Sequence, residues 1–128
     1  MSRKPKTRLS LQDILASCSD TLFPAECGKA PVTPQSRGAD GDTPLHVMVW
    51  RGNTYAVQCL VEAGADVNAV GDMSETPLHV ALRRKDLAAA ELLLRAGAET
   101  DRVSEFGQSP RDLALVLGGA FRRLLTAR

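Results

Sequence analysis

Two histidines, three cysteines and a scatter of carboxylates are the residues of this 128-residue chain that could carry chemistry. An imidazole can act as a general base or a metal ligand near neutral pH. His46 and His79 each close the same four letters, Thr-Pro-Leu-His, at Thr43, Pro44, Leu45, His46 and again at Thr76, Pro77, Leu78, His79. Neither has an acidic partner at ligand spacing, so neither starts a zinc site. Cys18, Cys27 and Cys59 are odd in number and contain no C-x-x-C pair, which reads as free thiols in a reducing compartment. Cys18 and Cys59 fall in helical patterns as small apolar residues, and Cys27 falls in a loop. Asp42, Asp72 and Glu75 are expected at loop tips, exposed and separate from one another. The LGGAF stretch near the end lacks the lysine and spacing of a phosphate-binding loop, and no G-x-S-x-G nucleophile motif occurs. The expectation is a protein that is not an enzyme and holds no cofactor and no metal.

What, then, do the repeated letters position? The length suits one domain. A net charge of +1 with acids and bases evenly mixed argues against a nucleic-acid binder or a membrane-surface protein. Hydrophobic residues make up 44% but aromatics only 4%, so Ala, Val and Leu must fill the core. That composition favours close-packed helices. No run of about 18 apolar residues exists to span a bilayer. The basic start MSRKPKTR is not followed by an apolar stretch of the kind a secretory signal needs. These features point to a cytoplasmic location.

The offset from Thr43 to Thr76 is 33 residues, and the same offset joins Gly64-Ala65 to Gly97-Ala98 and Pro44 to Pro77 to Pro110. A fixed period of this size marks stacked supersecondary units. Each threonine can cap a helix and each proline can sit in the first turn, where no N–H is required. Gly52 is placed to stop the first short helix. Val57, Leu60 and Val61 then give a second helix at i, i+3, i+4 spacing, matched by Ala90, Leu93 and Leu94. Gly64 and Gly97 end those second helices, and the chain turns out into an arm with a tight tip. Lys85 replaces Gly52 in the next unit, at a modest local cost. One such unit cannot bury its own apolar face, whereas stacked copies can.

With DGDTPLHVMVWRGNTYAVQCLVEAGADVNAVG followed by DMSETPLHVALRRKDLAAAELLLRAGAETDRVS and a partial EFGQSPRDLALVLGGAFRRLLTAR, the chain resembles an ankyrin repeat protein over residues 38–128. The resemblance implies an all-α repeat solenoid of paired antiparallel helices with β-turn or hairpin arms. Repeats fall at about 38–70, 71–103 and, as a C-terminal cap, 104–128. It implies that His46 and His79 hydrogen-bond within and between repeats. It also implies a non-enzymatic protein-interaction module binding through a concave strip. Carried over position by position, that strip holds Asp40 and Asp42, then Asp72, Met73 and Glu75, then Glu105, Phe106 and Gln108 at the arm tips. Trp50 and Arg51, then Arg83 and Arg84, stand on the first helices, with Val116 and Leu117 following on the last. Trp50, the single tryptophan, and the arginines are the residue types enriched in interface hot spots. Two readings stand for Trp50, a partner anchor or a residue packed on the N-terminal arm. Arg83 and Arg84 either meet an acidic partner, or remain a solvated face or pair with Glu75. The partner is expected to be another protein, with no small-molecule substrate and no membrane; nucleic-acid binding or a role as an enzyme accessory are the lesser alternatives. Small freestanding relatives of this kind resemble bacterial adaptors or immunity proteins that neutralise a cognate toxin. The strip leaves self-association open.

Upstream, Ser10-Leu-Gln-Asp reads as a helix start with Asp13 at the third position. Leu11, Ile14, Leu15, Cys18 and Leu22 form an apolar stripe. This segment, within residues 9–37, is expected to be a helix that caps the first repeat and covers Met48, followed by a Pro-rich loop or extended arm along the stack; the alternative for the helix is a separate partner-binding role. Residues 1–8, with Arg3, Lys4, Lys6 and Arg8, read as a disordered basic tail.

Overall fold

A computed structural model describes residues 10–18, 22, 32–38 and 41–126. The basic tail expected at 1–8, Cys27 with most of the Pro-rich segment, and Asp40 lie outside these residues. The described chain forms seven α-helices: α1 (Leu11–Ser17), α2 (Pro44–Arg51), α3 (Thr54–Glu62), α4 (Pro77–Arg83), α5 (Leu87–Arg95), α6 (Pro110–Leu117) and α7 (Gly119–Thr126). None of them is long and apolar enough to cross a membrane.

Each helix has seven to nine residues, too few to hold together alone in water. Local chemistry sets the ends. Thr43, Thr76 and Ser109 sit in extended backbone and accept the N–H of the third helical residue through their hydroxyls. A proline follows each of them in the first turn. Asn53 and Asp86 cap α3 and α5 in the same way. Gly52 ends α2 at φ 76°. Lys85 stands at the matching position after α4 and is forced to φ 58°, the expected cost of losing glycine there.

Stacking supplies what the short helices lack. α2 packs on α4 and α4 on α6, making one row, while α1, α3, α5 and α7 pack in succession as the other. Within a repeat α2 folds back on α3, α4 on α5 and α6 on α7. Leu45, Val49, Leu60, Leu78, Leu82, Leu93 and Leu94 are all buried in one continuous cluster between the rows. Complete burial of such a side chain stabilises by roughly 1.5–3 kcal/mol, so the stacking surfaces hold the fold.

The N-terminal helix packs on the first helix pair. Ile14, Leu15 and Cys18 of this segment, with Leu22, join the same cluster as Met48, which is 2% exposed. Arg51 pins the end of α1, donating to the Ser17 carbonyl at 3.1 Å and its hydroxyl at 3.2 Å. Residues 32–38 with 41 and 42 moreover repeat several bonds of the next arm. The Gly38 N–H donates to the Asp42 carbonyl as that of Gly71 does to Glu75. The Gln35 amide donates to the Gly64 carbonyl as that of Asn68 does to Gly97. The repeat pattern therefore reaches upstream to Thr33, whose hydroxyl accepts the Gln35 N–H as the Asp66 carboxylate accepts that of Asn68. The arms are turns, and no strand occurs among the described residues. The tip of the second arm is a short 3-10 turn, Asp72–Ser74.

Candidate functional site

The two histidines connect the repeats. The Nδ1 of His46 accepts the Thr43 backbone N–H at 3.1 Å, so the ring proton is on Nε2, which donates to the carbonyl of Glu75 in the next arm at 3.0 Å. His79 repeats this with Thr76 at 3.0 Å and Gln108 at 3.0 Å. Both rings are buried. Burial pushes each imidazole below its ordinary 6.5, against the opposing pull of the carbonyl it donates to. A neutral ring with both nitrogens occupied is a structural cross-link, not a base or a ligand. Gly71 fits between these groups because a Cβ there would run into the Asp42 carboxylate and lie 2.9 Å from His46 Nε2.

In front of the histidines, the arms and the first helices enclose a groove of about 600 Å³. Of the strip residues expected from sequence, the structure brings Asp42, Trp50, Arg51, Asp72, Met73, Glu75, Arg83 and Phe106 onto its wall. Arg84 lies beside it, its guanidinium 5.2 Å from the centre of the Trp50 ring. Glu105 and Gln108 are on the third arm outside the groove lining, and Asp40 is not among the described residues. Val116 is exposed on the last repeat and does not line the groove. His46, Val47 and Val80 also line it. Nothing in the residue types of the two valines singles them out in the sequence. The signal was available: Val47 and Val80 are the same repeat position, one residue beyond each histidine.

The acids are not separate, as the sequence led one to expect. Arms one repeat apart lie side by side, so Asp42 Oδ1 accepts the Asp72 N–H at 2.9 Å. Asp42 and Glu75 occupy the same repeat position on adjacent arms. Glu75 is also far from an exposed tip residue, with its side chain 13% exposed. Burial raises its carboxyl above the ordinary 4.5, with Asp72 and Asp42 adding to the rise and Arg83 opposing it.

Arg83 holds the floor together. Its Nε lies 3.0 Å from Glu75 Oε2 and its guanidinium 5.0 Å from the centre of the Phe106 ring. It is thus paired with Glu75, one of the two expectations held for it. Trp50 is 59% exposed, Phe106 52% and Met73 42%, an apolar trio rimming a charged floor. Residues 32–38 run elsewhere, tied to Gly64, Gly41 and Val70 through Gln35 and Arg37.

No curated protein matches this sequence. A family model described as ankyrin repeats, in three copies, matches residues 15–104, beginning inside α1 and including residues 32–38. With a 33-residue period, capped helix pairs and a histidine bridge from each repeat to the next, the chain belongs to the ankyrin repeat family, whose members are generally protein–protein interaction modules and typically not enzymes.

Proposed function

We propose that this chain is a non-enzymatic binding module that captures a partner protein in the concave groove between its arms and first helices. The observation that carries the reading is Trp50. A large aromatic residue stands 59% exposed on the groove wall, at a position where the repeat demands no apolar side chain. Arg83 and Val116 fill the same position in the following repeats. Exposing an indole is unfavourable unless something covers it, and tryptophan is the residue most enriched at interface hot spots. Arg84 and Phe106 nearby add an arginine and a second aromatic ring, side-chain types enriched at interfaces. Both histidines are already committed to bridging the repeats, which removes the chain's most obvious acid–base groups from any catalytic role.

The test is affinity capture from the source cells with three baits: wild type, Trp50→Ala plus Arg83→Ala, and a convex-face control, Gln58→Ala plus Glu62→Ala. All three must first show the same circular dichroism. A protein captured by wild type and control but lost from the groove variant is the expected result. Equal capture by all three would move the function off the groove and end the proposal.

A further inference from the structure

We infer that the groove is built to receive a basic side chain, an arginine or lysine flanked by apolar residues on the partner protein. This rests on the proposed function and specifies the chemistry of the partner it binds. The groove's cations are already engaged. Arg51 is directed onto the end of α1, Arg83 is paired with Glu75, and Arg84 lies on the Trp50 ring. Its carboxylates are not balanced in the same way: among the described residues Asp42 and Asp72 join no ion pair, and both line the groove. Asp42 and Asp72, both on the arms, are therefore the groove charges left to meet a partner's cation, while Arg51 and Arg84 are held on the first helices by Ser17 and the Trp50 ring. An acidic partner would have to pass these two aspartates and pull Arg83 from Glu75 and Phe106.

Arg83 itself shows the kind of group the surface accommodates. A guanidinium edge meets a carboxylate while its face meets an aromatic ring, an arrangement that suits arginine better than any other side chain. The same pair of surfaces, carboxylate and apolar, is offered a second time by Asp42 and Asp72 with Met73 and Trp50. The field around Glu75 agrees, since Asp72 and Asp42 help hold its carboxyl above the ordinary range despite Arg83. An incoming cation would relieve that. The groove, at about 600 Å³, lies within the usual span of ligand sites, about 300–1,000 Å³.

The experiment is selection of a random dodecapeptide phage library on the full chain, followed by binding measurements with synthetic peptides from the enriched clones. Asp42→Asn plus Asp72→Asn tests the charge while keeping a side-chain oxygen at position 42 to accept the backbone N–H of position 72. Trp50→Ala tests the location, and Glu62→Gln on the convex side is the charge control. The expected result is enrichment of peptides carrying arginine or lysine beside apolar residues. Their affinity should drop about ten-fold or more in the double aspartate variant, fall with rising salt, and be unchanged by Glu62→Gln. Peptides that need Trp50 but are neutral or acidic, and bind the aspartate variant equally well, would overturn the basic-side-chain inference and leave the groove reading intact. Peptides indifferent to Trp50→Ala, or no enrichment at all, would count against both.

Discussion

His46 and His79 occupy one repeat position, and Asp112 occupies it in the last repeat. The histidines each reach the carbonyl of a following arm; Asp112 has no such arm among the described residues and instead turns back to accept the Ser109 N–H at 3.0 Å. One residue earlier, Leu45 and Leu78 are fully buried, whereas Arg111 is exposed and reaches Thr100 and Asp101. Yet the hydroxyl cap and the first-turn proline are kept in all three. The four letters thus separate into two jobs. Thr or Ser with Pro starts a helix and is needed wherever the helix is. Leu with His fastens one repeat to its neighbour and is absent from the last described repeat, where the matching Arg111 is exposed.

The largest effects should come from moving the fastening letters. Leu78→Arg puts a charge into a fully buried site with no partner and should cost more than about 4 kcal/mol, enough to unfold a stack of this size. Arg111→Leu, the reverse change at the open end, should alter stability by no more than about 0.5 kcal/mol, since it removes only exposed pairings. Urea unfolding measures both. Comparable losses would mean that the last repeat is as tightly packed as the interior ones.

The histidine position allows a finer separation. His79→Ala leaves the Thr76 N–H and the Gln108 carbonyl without their ring partner and should cost about 2–3 kcal/mol. Asp112→Ala loses only an exposed bond at the helix start and should cost clearly less. If the two losses are equal, the bridge between repeats adds nothing beyond capping.

Proton titration should divide the same positions by pH. His46 and His79 have folded values below 6.5, so the unfolded chain binds protons more readily and stability declines as pH falls from about 6.5 downward. Asp112 is held below 3.8 chiefly by its bonds to Ser109, so its contribution is present above that pH and is lost only as pH falls through the lower folded value. Glu75 acts in the opposite sense: raised above 4.5, it favours the folded state at low pH and loses that contribution as pH climbs through its folded value. A Glu75→Gln background removes this opposing slope. Within it, His79→Gln should flatten the decline that starts near 6.5 and Asp112→Asn should leave that decline alone. A decline near 6.5 of equal size in both would assign it to groups other than His79.

The division of labour also explains what could be read from the letters. The period, the caps, the helix pairs and the face carrying Trp50 were all legible because each depends on one residue type at a fixed spacing. The likeness of residues 32–38 to the next arm was not, because its bonds run to backbone groups and tolerate substitution. Gln35 does the work of Asn68 and Thr33 that of Asp66, so the function repeats without the letters. The closeness of Asp42, Asp72 and Glu75 was hidden for another reason. Spacing of 33 places them on successive arms, and only the stack shows that successive arms touch.

One interior position breaks the rule that fastening and turn letters persist, and it gives the smallest and sharpest test. The arm tips carry Gly41, Ser74 and Gly107 at the same position, with φ of 92°, 59° and 79°. Ser74 follows Met73, itself at φ 58°, so two consecutive side-chain-bearing residues are held in the left-handed region that glycine enters freely. Residues kept in such backbone cluster where a surface must be presented in a set shape, and here Met73 is the one presented to the groove. Ser74→Gly should relieve the strain and stabilise the fold by about 0.5 kcal/mol, the gain being trimmed by the freer unfolded chain. The competing account is that serine is retained for its hydroxyl, which donates to Glu105 on the next arm at 3.3 Å. That bond is long and exposed, so it should be outweighed. A thermal or urea midpoint that rises in Ser74→Gly supports backbone strain as the larger of the two effects. A midpoint that falls would make Ser74 another fastening letter, tying arm to arm as the histidines tie helix to arm.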